Sequence, residues 1–173
     1  MFSFFRYCYT LVLYITLPLV FLRLLWRSLR VPAYRQRWLE RLGIFNFEHK
    51  TKNCIWVHAV SVGEVVAAIP VINALQARYP ELSITVTTTT PTGSQRVMQS
   101  LGKTVTHVYL PYDLPWALNN FIRRVTPKIL LILETELWPN LINSCHGKNI
   151  PIIIVNARLS AKSFAGYFKI KFL

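Results

Sequence analysis

The hydrophobic pattern divides the chain into an apolar amino-terminal segment and a longer region in which short apolar runs alternate with helical spacing. Residues 7–22 contain no charged side chain, and the apolar run resumes after Arg23. Crossing roughly 30 Å of hydrocarbon takes about 20 apolar residues, so this segment is at the short end of the range for a span. The run ends in Leu-Leu-Trp-Arg at 24–27, whereas a signal-peptide cleavage site needs small residues. We therefore predict an uncleaved membrane anchor within residues 1–30, either spanning or interfacial; a cleaved signal peptide and a buried soluble helix are the alternatives.

From residue 54 onward, five short apolar runs alternate with segments of helical spacing. The predicted strands are 54–60, 82–87, 105–110, 128–133 and 150–155. The predicted helices are 65–79, 92–101, 114–124 and 138–146. Near-continuous apolar strands that alternate with helices are typical of a parallel sheet covered on both faces. The predicted fold class is α/β, a doubly wound Rossmann-like parallel sheet in residues 31–173, preceded by the membrane-anchor helix.

The basic residues are concentrated beside the apolar segment. The chain has 20 Lys plus Arg against 7 Asp plus Glu, a net charge of +13. Five arginines at positions 27, 30, 35, 37 and 41 follow the apolar run, with only Glu40 among them. Positive charge within about 15–20 residues of a span favours the cytoplasmic side, and it attracts anionic lipid by roughly 1 kcal/mol per charge. We predict membrane contact for this cluster rather than nucleic-acid binding; a solvated basic face is the alternative.

Composition and motifs exclude several classes of protein. The chain is 53% apolar and 16% charged, which excludes a disordered chain. No G-x-G-x-x-G follows the first predicted strand, and there is no Walker loop, H-E-x-x-H or G-x-S-x-G. The three cysteines, Cys8, Cys54 and Cys145, do not have the spacing of a zinc site and are expected to be buried thiols.

Glu64 follows the first predicted strand, where ligands of doubly wound sheets bind, at the carboxyl edge of the sheet. It comes after a Ser-Val-Gly turn that contains Ser61 and Gly63, and it opens a helix whose next residues are apolar. An acid at a helix start is often a capping residue or dipole partner, worth about 0.3–1 kcal/mol. The alternative is a general base, whose pKa an apolar setting would raise.

Glu134 and Glu136 end the most apolar predicted strand, in a chain with only seven acids. One residue apart in an extended segment, they are expected to point to the same face. Both would not easily be ionised in a crevice without a cation nearby, and Arg158, after the next strand, is the candidate partner. An ion pair with a basic helix is the alternative, and Trp138 could form a wall beside them.

Hydroxyl-bearing residues surround Pro91 after the second predicted strand. Thr90, Thr92 and Gly93 stand at the start of the predicted helix 92–101, where hydroxyls and free amides suit a phosphate. Simple capping of the helix, with Thr90 as the cap, is the favoured interpretation.

Three further polar residues have structural interpretations. Asp113 is predicted to cap the helix that follows it. His58 and His107 lie on strands and are expected to be core histidines with one satisfied nitrogen each.

Several motifs in a fixed order resemble the amino-terminal half of the 3-deoxy-D-manno-octulosonic acid (Kdo) transferase family. The matching pieces are PAYRQRWLERLG (32–43), WVHAVSVGEVVAAIPVI (56–72), ITVTTTTPTGSQRV (84–97), HVYLPYDLPWALNNF (107–121), ETELWPNLI (134–142) and NARLSAKSFAGY (156–167). The resemblance implies the glycosyltransferase B architecture, in which two Rossmann-like domains face a cleft. The amino-terminal domain takes the lipid acceptor, and the carboxy-terminal domain takes CMP-Kdo.

The resemblance also implies an activity and roles for two residues. The family adds Kdo from CMP-Kdo to the lipid A precursor, lipid IVA, in lipopolysaccharide biosynthesis, by an inverting mechanism. The family's proton acceptor falls on Glu64, and its transition-state stabiliser falls on Glu134. No metal or other cofactor is expected. The expected location is the cell inner membrane, with a single amino-terminal anchor and the catalytic domain on the cytoplasmic side.

The resemblance ends near residue 167. We therefore expect the donor domain that would bind CMP-Kdo to be absent, and this chain alone to be inactive. A non-catalytic membrane-associated lipid-binding module is the alternative from another class. By their loop positions, the candidate acceptor-binding residues are Ser61, Gly63, Thr90, Thr92, Gly93, Glu136 and Arg158.

Overall fold

The computed structural model describes residues 2–44 and 53–157, which form a long helix followed by an α/β domain. Helix α1 spans Phe2–Arg30, and two 3₁₀ turns follow at Pro32–Arg35 and Trp38–Leu42. The strands are β1 Cys54–His58, β2 Ile84–Thr88, β3 Thr106–Tyr109, β4 Pro127–Leu133 and β5 Ile152–Val155. The helices between them are α2 Val62–Arg78, α3 Pro91–Leu101, α4 Pro115–Val125 and α5 Pro139–His146. A third 3₁₀ turn, Gly102–Thr104, follows α3.

The five strands form one parallel sheet in the order β3-β2-β1-β4-β5. Alternate residues of each strand point to opposite faces, so each face has its own apolar core. Trp56 and Leu130 pack with Phe121 of α4 on one face, whereas Val57 and Leu131 pack with α2 and α3 on the other. The predicted fold class, a doubly wound parallel sheet, is confirmed, because runs of apolar residues are buried on both faces.

Helix α1 has an apolar surface that the domain does not cover. It contains the one segment of the described chain long and apolar enough to cross a membrane, Phe4–Arg30, with a mean hydropathy of 1.9. Its outward residues include Ile15, Leu19 and Leu22, each at least 60% exposed. A helix that packs on a soluble domain normally has a polar outward face, so this helix is a membrane-anchor candidate.

The five arginines after the apolar segment divide into two groups. Arg41 is buried, donates from Nη2 to the Thr89 carbonyl oxygen at 2.9 Å, and lies over the Tyr109 ring. Arg37 donates to the Glu40 carboxylate at 2.6 Å and to a backbone oxygen of β3 at 2.8 Å. Buried guanidinium groups need such acceptors. The prediction of membrane contact is therefore wrong for Arg41, which is buried in the domain, and the half-buried Arg37 is likewise held by acceptors of the domain.

Two other expectations need correction. Asp113 does not cap α4, whose N-cap is Leu114 with no side-chain bond. Its carboxylate instead accepts the backbone N–H groups of Asn140 and Leu141 at the start of α5. Of the three cysteines, Cys54 and Cys145 are buried as predicted, whereas Cys8 is exposed on α1.

Candidate active site

The Glu64 carboxylate is held in a capping box at the start of α2. Ser61 is the N-cap, and its hydroxyl accepts the Glu64 N–H at 3.4 Å. In return, Glu64 Oε1 accepts the Ser61 N–H at 3.2 Å, and Oε2 accepts the Val60 N–H at 2.7 Å. The residue is 5% exposed. The capping interpretation therefore describes its local geometry, and the same bonds fix the carboxylate at the carboxyl end of β1.

Burial raises the pKa of the Glu64 carboxyl group above its ordinary value. The negative charges of Glu136 and Glu134 also raise the pKa, while the N–H groups of Val60 and Ser61 oppose the shift. Each carboxylate oxygen accepts one hydrogen bond and retains a further lone pair. A fixed carboxylate with a raised pKa is a stronger proton acceptor than an exposed one.

Glu134 and Glu136 lie near Glu64, but the segment that holds them is not extended. Glu134 has φ +60°, in the left-handed region, and its N–H donates to the Val155 carbonyl oxygen at 2.9 Å. The prediction that both side chains point to one face of an extended segment is therefore wrong in its premise, because β4 ends at Leu133. Positive φ at a residue other than glycine costs of order 1 kcal/mol or more and concentrates at functional sites.

The described residues provide no cation for these two acids. The ion pair found within residues 2–44 and 53–157 joins Arg37 to Glu40, whose carboxylate also accepts the Tyr109 N–H of β3. The alternative of an ion pair with a basic helix is thus not observed in this part of the chain. Arg158, the proposed partner, lies outside the described residues.

Trp138 forms a wall between Glu136 and His58. Its indole N–H donates to Glu136 Oε2 at 2.9 Å, and its ring meets the His58 ring edge to face at 5.7 Å. His58 is fully buried; Nδ1 lies 3.0 Å from the Thr87 hydroxyl, and Nε2 has no partner among the described residues. Burial lowers the pKa of His58 to about 4, so the ring is neutral at pH 7. The expectation of one satisfied nitrogen is confirmed for His58.

His107 has partners on both ring nitrogens, so the same expectation is wrong for it. Thr88 Oγ1 lies 3.0 Å from Nε2, and Arg37 Nη1 lies 3.1 Å from Nδ1. The arginine comes from the 3₁₀ region some 70 residues earlier, which no local pattern could indicate.

The threonine-rich loop caps α3 as the favoured interpretation predicted. Thr90 Oγ1 accepts the Gly93 N–H at 3.1 Å. A Cβ atom at Gly93 would lie 3.0 Å from that hydroxyl oxygen and 3.3 Å from Thr88 Cβ, so α3 approaches β2 closely at this glycine. Thr92 is exposed at the start of α3. Thr89 Oγ1 donates to the Val60 carbonyl oxygen at 3.2 Å, which joins this loop to the Ser61 turn.

Gly63 lies exposed between Ser61 and Glu64, and its backbone does not require glycine. The nearest atom to a Cβ placed there would be Ser61 Oγ at 3.8 Å, an ordinary contact. Its effect is to keep the surface beside the carboxylate free of a side chain. Among the described residues, no three His, Cys, Asp or Glu side chains cluster as metal ligands.

The structure therefore brings Ser61, Gly63, Glu64, Glu134 and Glu136 together at the carboxyl edge, with Thr90, Thr92 and Gly93 on the adjoining loop. Sequence reasoning assigned His58 to the core but missed its place beside this cluster. The sequence HAVSVGE, in which the histidine ends the strand six residues before the glutamate, is the signal that could have indicated it.

The fold and this site define the class: a doubly wound α/β domain with carboxylates at its carboxyl edge and an apolar helix beside it. A family model described as 3-Deoxy-D-manno-octulosonic-acid transferase (kdotransferase) matches residues 36–173. The chain belongs to this family.

Curated relatives agree with the family match. The chain is 50% identical over 167 residues to the 3-deoxy-D-manno-octulosonic acid transferase of Haemophilus influenzae, covering 96% of this chain and 39% of that protein. It is 41% identical over 147 residues to a probable mitochondrial 3-deoxy-D-manno-octulosonic acid transferase of Arabidopsis thaliana, covering 85% and 33%. It is 35% identical over 126 residues to a bifunctional glycosyltransferase/methyltransferase of Fusobacterium nucleatum, covering 72% and 20%. The chain thus spans less than half the length of each of these relatives.

Proposed function

We propose that this chain is the acceptor-binding part of a Kdo transferase of lipopolysaccharide biosynthesis. The acceptor is the lipid A precursor, lipid IVA, and the donor is CMP-Kdo, bound by a second domain. The family match and the relatives' names support the reaction class. The observation that carries the proposal is the Glu64 carboxylate, fixed at the carboxyl edge with a raised pKa.

In the proposed reaction, Glu64 removes the proton from a hydroxyl group of the acceptor's glucosamine disaccharide. The freed oxygen forms a bond to the anomeric carbon of Kdo, and the bond from that carbon to CMP breaks. The electron pair leaves with the CMP phosphate, and direct displacement inverts the anomeric configuration. Glu134 would stabilise the positive charge that develops on the Kdo ring. The residues of this chain need no metal for these steps.

The capping box has a role in this proposal. Two backbone N–H groups orient the carboxylate before the acceptor arrives, so no reorganisation accompanies the proton transfer. The exposed Gly63 leaves room for the incoming sugar. The exposed Thr92 hydroxyl and the neighbouring loop are proposed to contact the acceptor's phosphates. Arg158 is proposed to complete the acceptor site.

We place the domain at the cytoplasmic face of the inner membrane. The exposed apolar surface of α1 supports membrane attachment, and the exposed Arg27 and Arg30 at the end of the helix favour the cytoplasmic leaflet. Attachment there would hold Glu64 near an acceptor that is itself a membrane lipid.

The test is Glu64→Gln in a transferase that contains both the acceptor and donor domains. Glutamine keeps an oxygen acceptor for the capping box but does not accept a proton at neutral pH. Transfer should fall by about 10²–10⁴ in kcat, with KM for the acceptor nearly unchanged. Glu81→Gln, at an exposed site away from the carboxyl edge, is the matched control. Near-normal transfer by Glu64→Gln would remove Glu64 from the mechanism.

One observation favours a second candidate, a non-catalytic membrane-associated lipid-binding module. The Glu64 carboxylate already accepts two backbone N–H groups and is 5% exposed, as a purely structural cap would be. Co-expression of this chain with a donor domain separates the two candidates. Transfer restored by the wild-type chain and not by Glu64→Gln supports the enzyme, and binding of lipid without any transfer supports the module.

A further inference from the structure

Helix α1 contacts the domain near both of its ends. Near its start, Asn140 Nδ2 of α5 donates to Thr10 Oγ1 at 2.9 Å. Near its end, the Phe21 ring meets those of Trp38 and Tyr112 at 5.8 and 6.0 Å, and Leu24 is buried. Between these contacts, the helix residues that face the domain are only half-buried.

A groove of about 380 Å³ occupies the space between the helix and the domain. One wall is the face of α1 with i, i+3, i+4, i+7 spacing, Leu13, Thr16, Leu17 and Val20. The other wall consists of two loops at the carboxyl edge of the sheet, residues 112–114 and 137–139. Its volume falls in the range of sites that bury small ligands, about 300–1,000 Å³.

The polar side chains of the groove already have partners within the protein. Thr16 donates to the Val12 carbonyl oxygen at 2.8 Å, and the Asp113 carboxylate accepts two backbone N–H groups of α5. Tyr9 lies beside the Asp113 carboxylate, and Tyr112 lies beside the Arg41 guanidinium group. The Trp138 indole N–H donates to Glu136. A polar occupant would lose its bonds to water without replacement, so the groove favours hydrocarbon.

The placement of α1 opens this groove to lipid. The contacts with the domain run from Thr10, which bonds to Asn140, to Phe21, which packs on Tyr112, about 17 Å of helix at 1.5 Å per residue. A helix that lies against the domain over this length does not cross the bilayer upright with the domain in water. Instead, it lies along the membrane surface with its outward apolar residues in the leaflet, as interfacial helices do.

One wall of the groove borders the candidate active site. Trp138 lines the groove and donates to Glu136, whose charge acts on Glu64. An acyl chain held in the groove with its polar end toward Trp138 would therefore place that end beside the carboxylates. Resting on the function proposed above, we propose that this groove binds one acyl chain of the glycolipid acceptor.

The experiment uses the full chain in lipid nanodiscs with two photoreactive probes that carry a diazirine on an acyl chain of equal length. One is an acylated glucosamine disaccharide bisphosphate, and the other is a phosphatidylethanolamine. Mass spectrometry locates the adducts. The disaccharide lipid should label residues 112–114 and 137–139, whereas the phospholipid should label the outward face of α1, around Ile15 and Leu19.

Two variants fill the groove from opposite walls, Leu17→Trp on α1 and Leu137→Trp on the loop. Each should lower the yield of groove adducts at least tenfold, while Leu19→Trp, on the 64% exposed outward face, should leave it unchanged. Because the two substitutions lie on different walls, a loss of adducts in both variants is explained by filling of the groove and not by displacement of α1.

Two results would overturn the groove proposal. Disaccharide-lipid adducts confined to the outward face would do so, as would equal labelling of the groove by both probes, which would make it a general lipid contact. Neither result bears on the Glu64→Gln transfer assay, so the groove and the proposed reaction fail separately.

Discussion

The Asp113 carboxylate caps a helix that begins 26 residues later in the chain: Oδ1 accepts the Leu141 N–H at 2.7 Å, and Oδ2 accepts the Asn140 N–H at 3.0 Å. The Asp113 carbonyl oxygen also accepts from Asn140 Nδ2 at 2.7 Å. Because Asn140 in turn donates to Thr10, this cap connects the loop after β3, helix α5 and helix α1.

Asp113→Ala should therefore destabilise the protein strongly. The substitution leaves two buried N–H groups without an acceptor, and hydrogen bonds to charged groups contribute about 1.5–3 kcal/mol each. We expect a loss of about 3 kcal/mol in the free energy of unfolding, measured by urea denaturation in mild detergent. Glu81→Ala, an exposed acid, is the control and should change it by less than about 0.5 kcal/mol. A loss below about 1 kcal/mol for Asp113→Ala would contradict the cap.

Gly43→Ala should be more damaging than the same change at Gly102. Both glycines have positive φ, +70° and +55°, so both substitutions introduce backbone strain of about 1–2 kcal/mol. At Gly43, however, the new Cβ would lie 2.3 Å from the Ala117 carbonyl oxygen of α4, whereas at Gly102 it would meet nothing within 4 Å. The difference in unfolding free energy between the two variants isolates the clash. Equal losses would show that the turn does not pack closely on α4.

Gly63→Ala should separate function from stability. Its added methyl group meets no atom closer than 3.8 Å, so the unfolding free energy should change by less than about 1 kcal/mol. The methyl group would nevertheless occupy the exposed approach to Glu64. We expect at least a tenfold loss of acceptor affinity in a binding assay with the acylated disaccharide. Asn73→Ala, exposed further along α2, should bind normally. Unchanged binding by Gly63→Ala would place the acceptor elsewhere.

Transfer should rise with pH through the raised pKa of Glu64, above the ordinary carboxyl range. The base acts only when deprotonated, and burial with neighbouring carboxylates favours its protonated form. The same shift makes the folded state bind a proton more tightly than the unfolded state does. Stability should therefore decrease as pH rises from about 4.5 through the folded pKa. In Glu64→Gln this component should be absent; an unchanged pH profile of stability would show that the pKa is not raised.

His58 has the opposite effect at acidic pH. Burial lowers its pKa from an ordinary value of 6.5 to about 4 in the folded protein, so only the unfolded state takes up this proton between those values. Stability should fall as pH drops from 6.5 to about 4. In His58→Gln, unfolding should take up as much as one proton less in this window. The slope of the unfolding free energy against pH should therefore decrease by up to about 1.36 kcal/mol per pH unit. An identical slope in the variant would show that His58 titrates normally. His107, with a pKa lowered to about 3, contributes to the slope in both proteins.

Local patterns predicted much of this molecule. Apolar runs and helical spacing indicated the strands and helices within a few residues, because burial on two faces and helical periodicity are properties of short segments. The Thr90 cap and the Ser61–Glu64 turn were likewise visible, since a capping residue and its partner lie within four positions.

Long-range partners could not be predicted in the same way. The sheet order brings the loop after β3 beside the start of α5, so Asp113 caps α5 rather than the helix next to it in sequence. Arg37 and Arg41 have the composition of a lipid-facing cluster, yet the fold places acceptors around them. At Glu134, the pattern favoured an extended segment, but the chain turns there into the left-handed region.

The sequence by itself determined the α/β class, the family and the acids at the carboxyl edge, because these depend on local residue patterns. Only the tertiary structure decided which helix Asp113 caps, which arginines are buried, and where α1 lies against the domain. Those outcomes depend on contacts between residues far apart in the chain, whose energies exist only once the sheet has set its strand order.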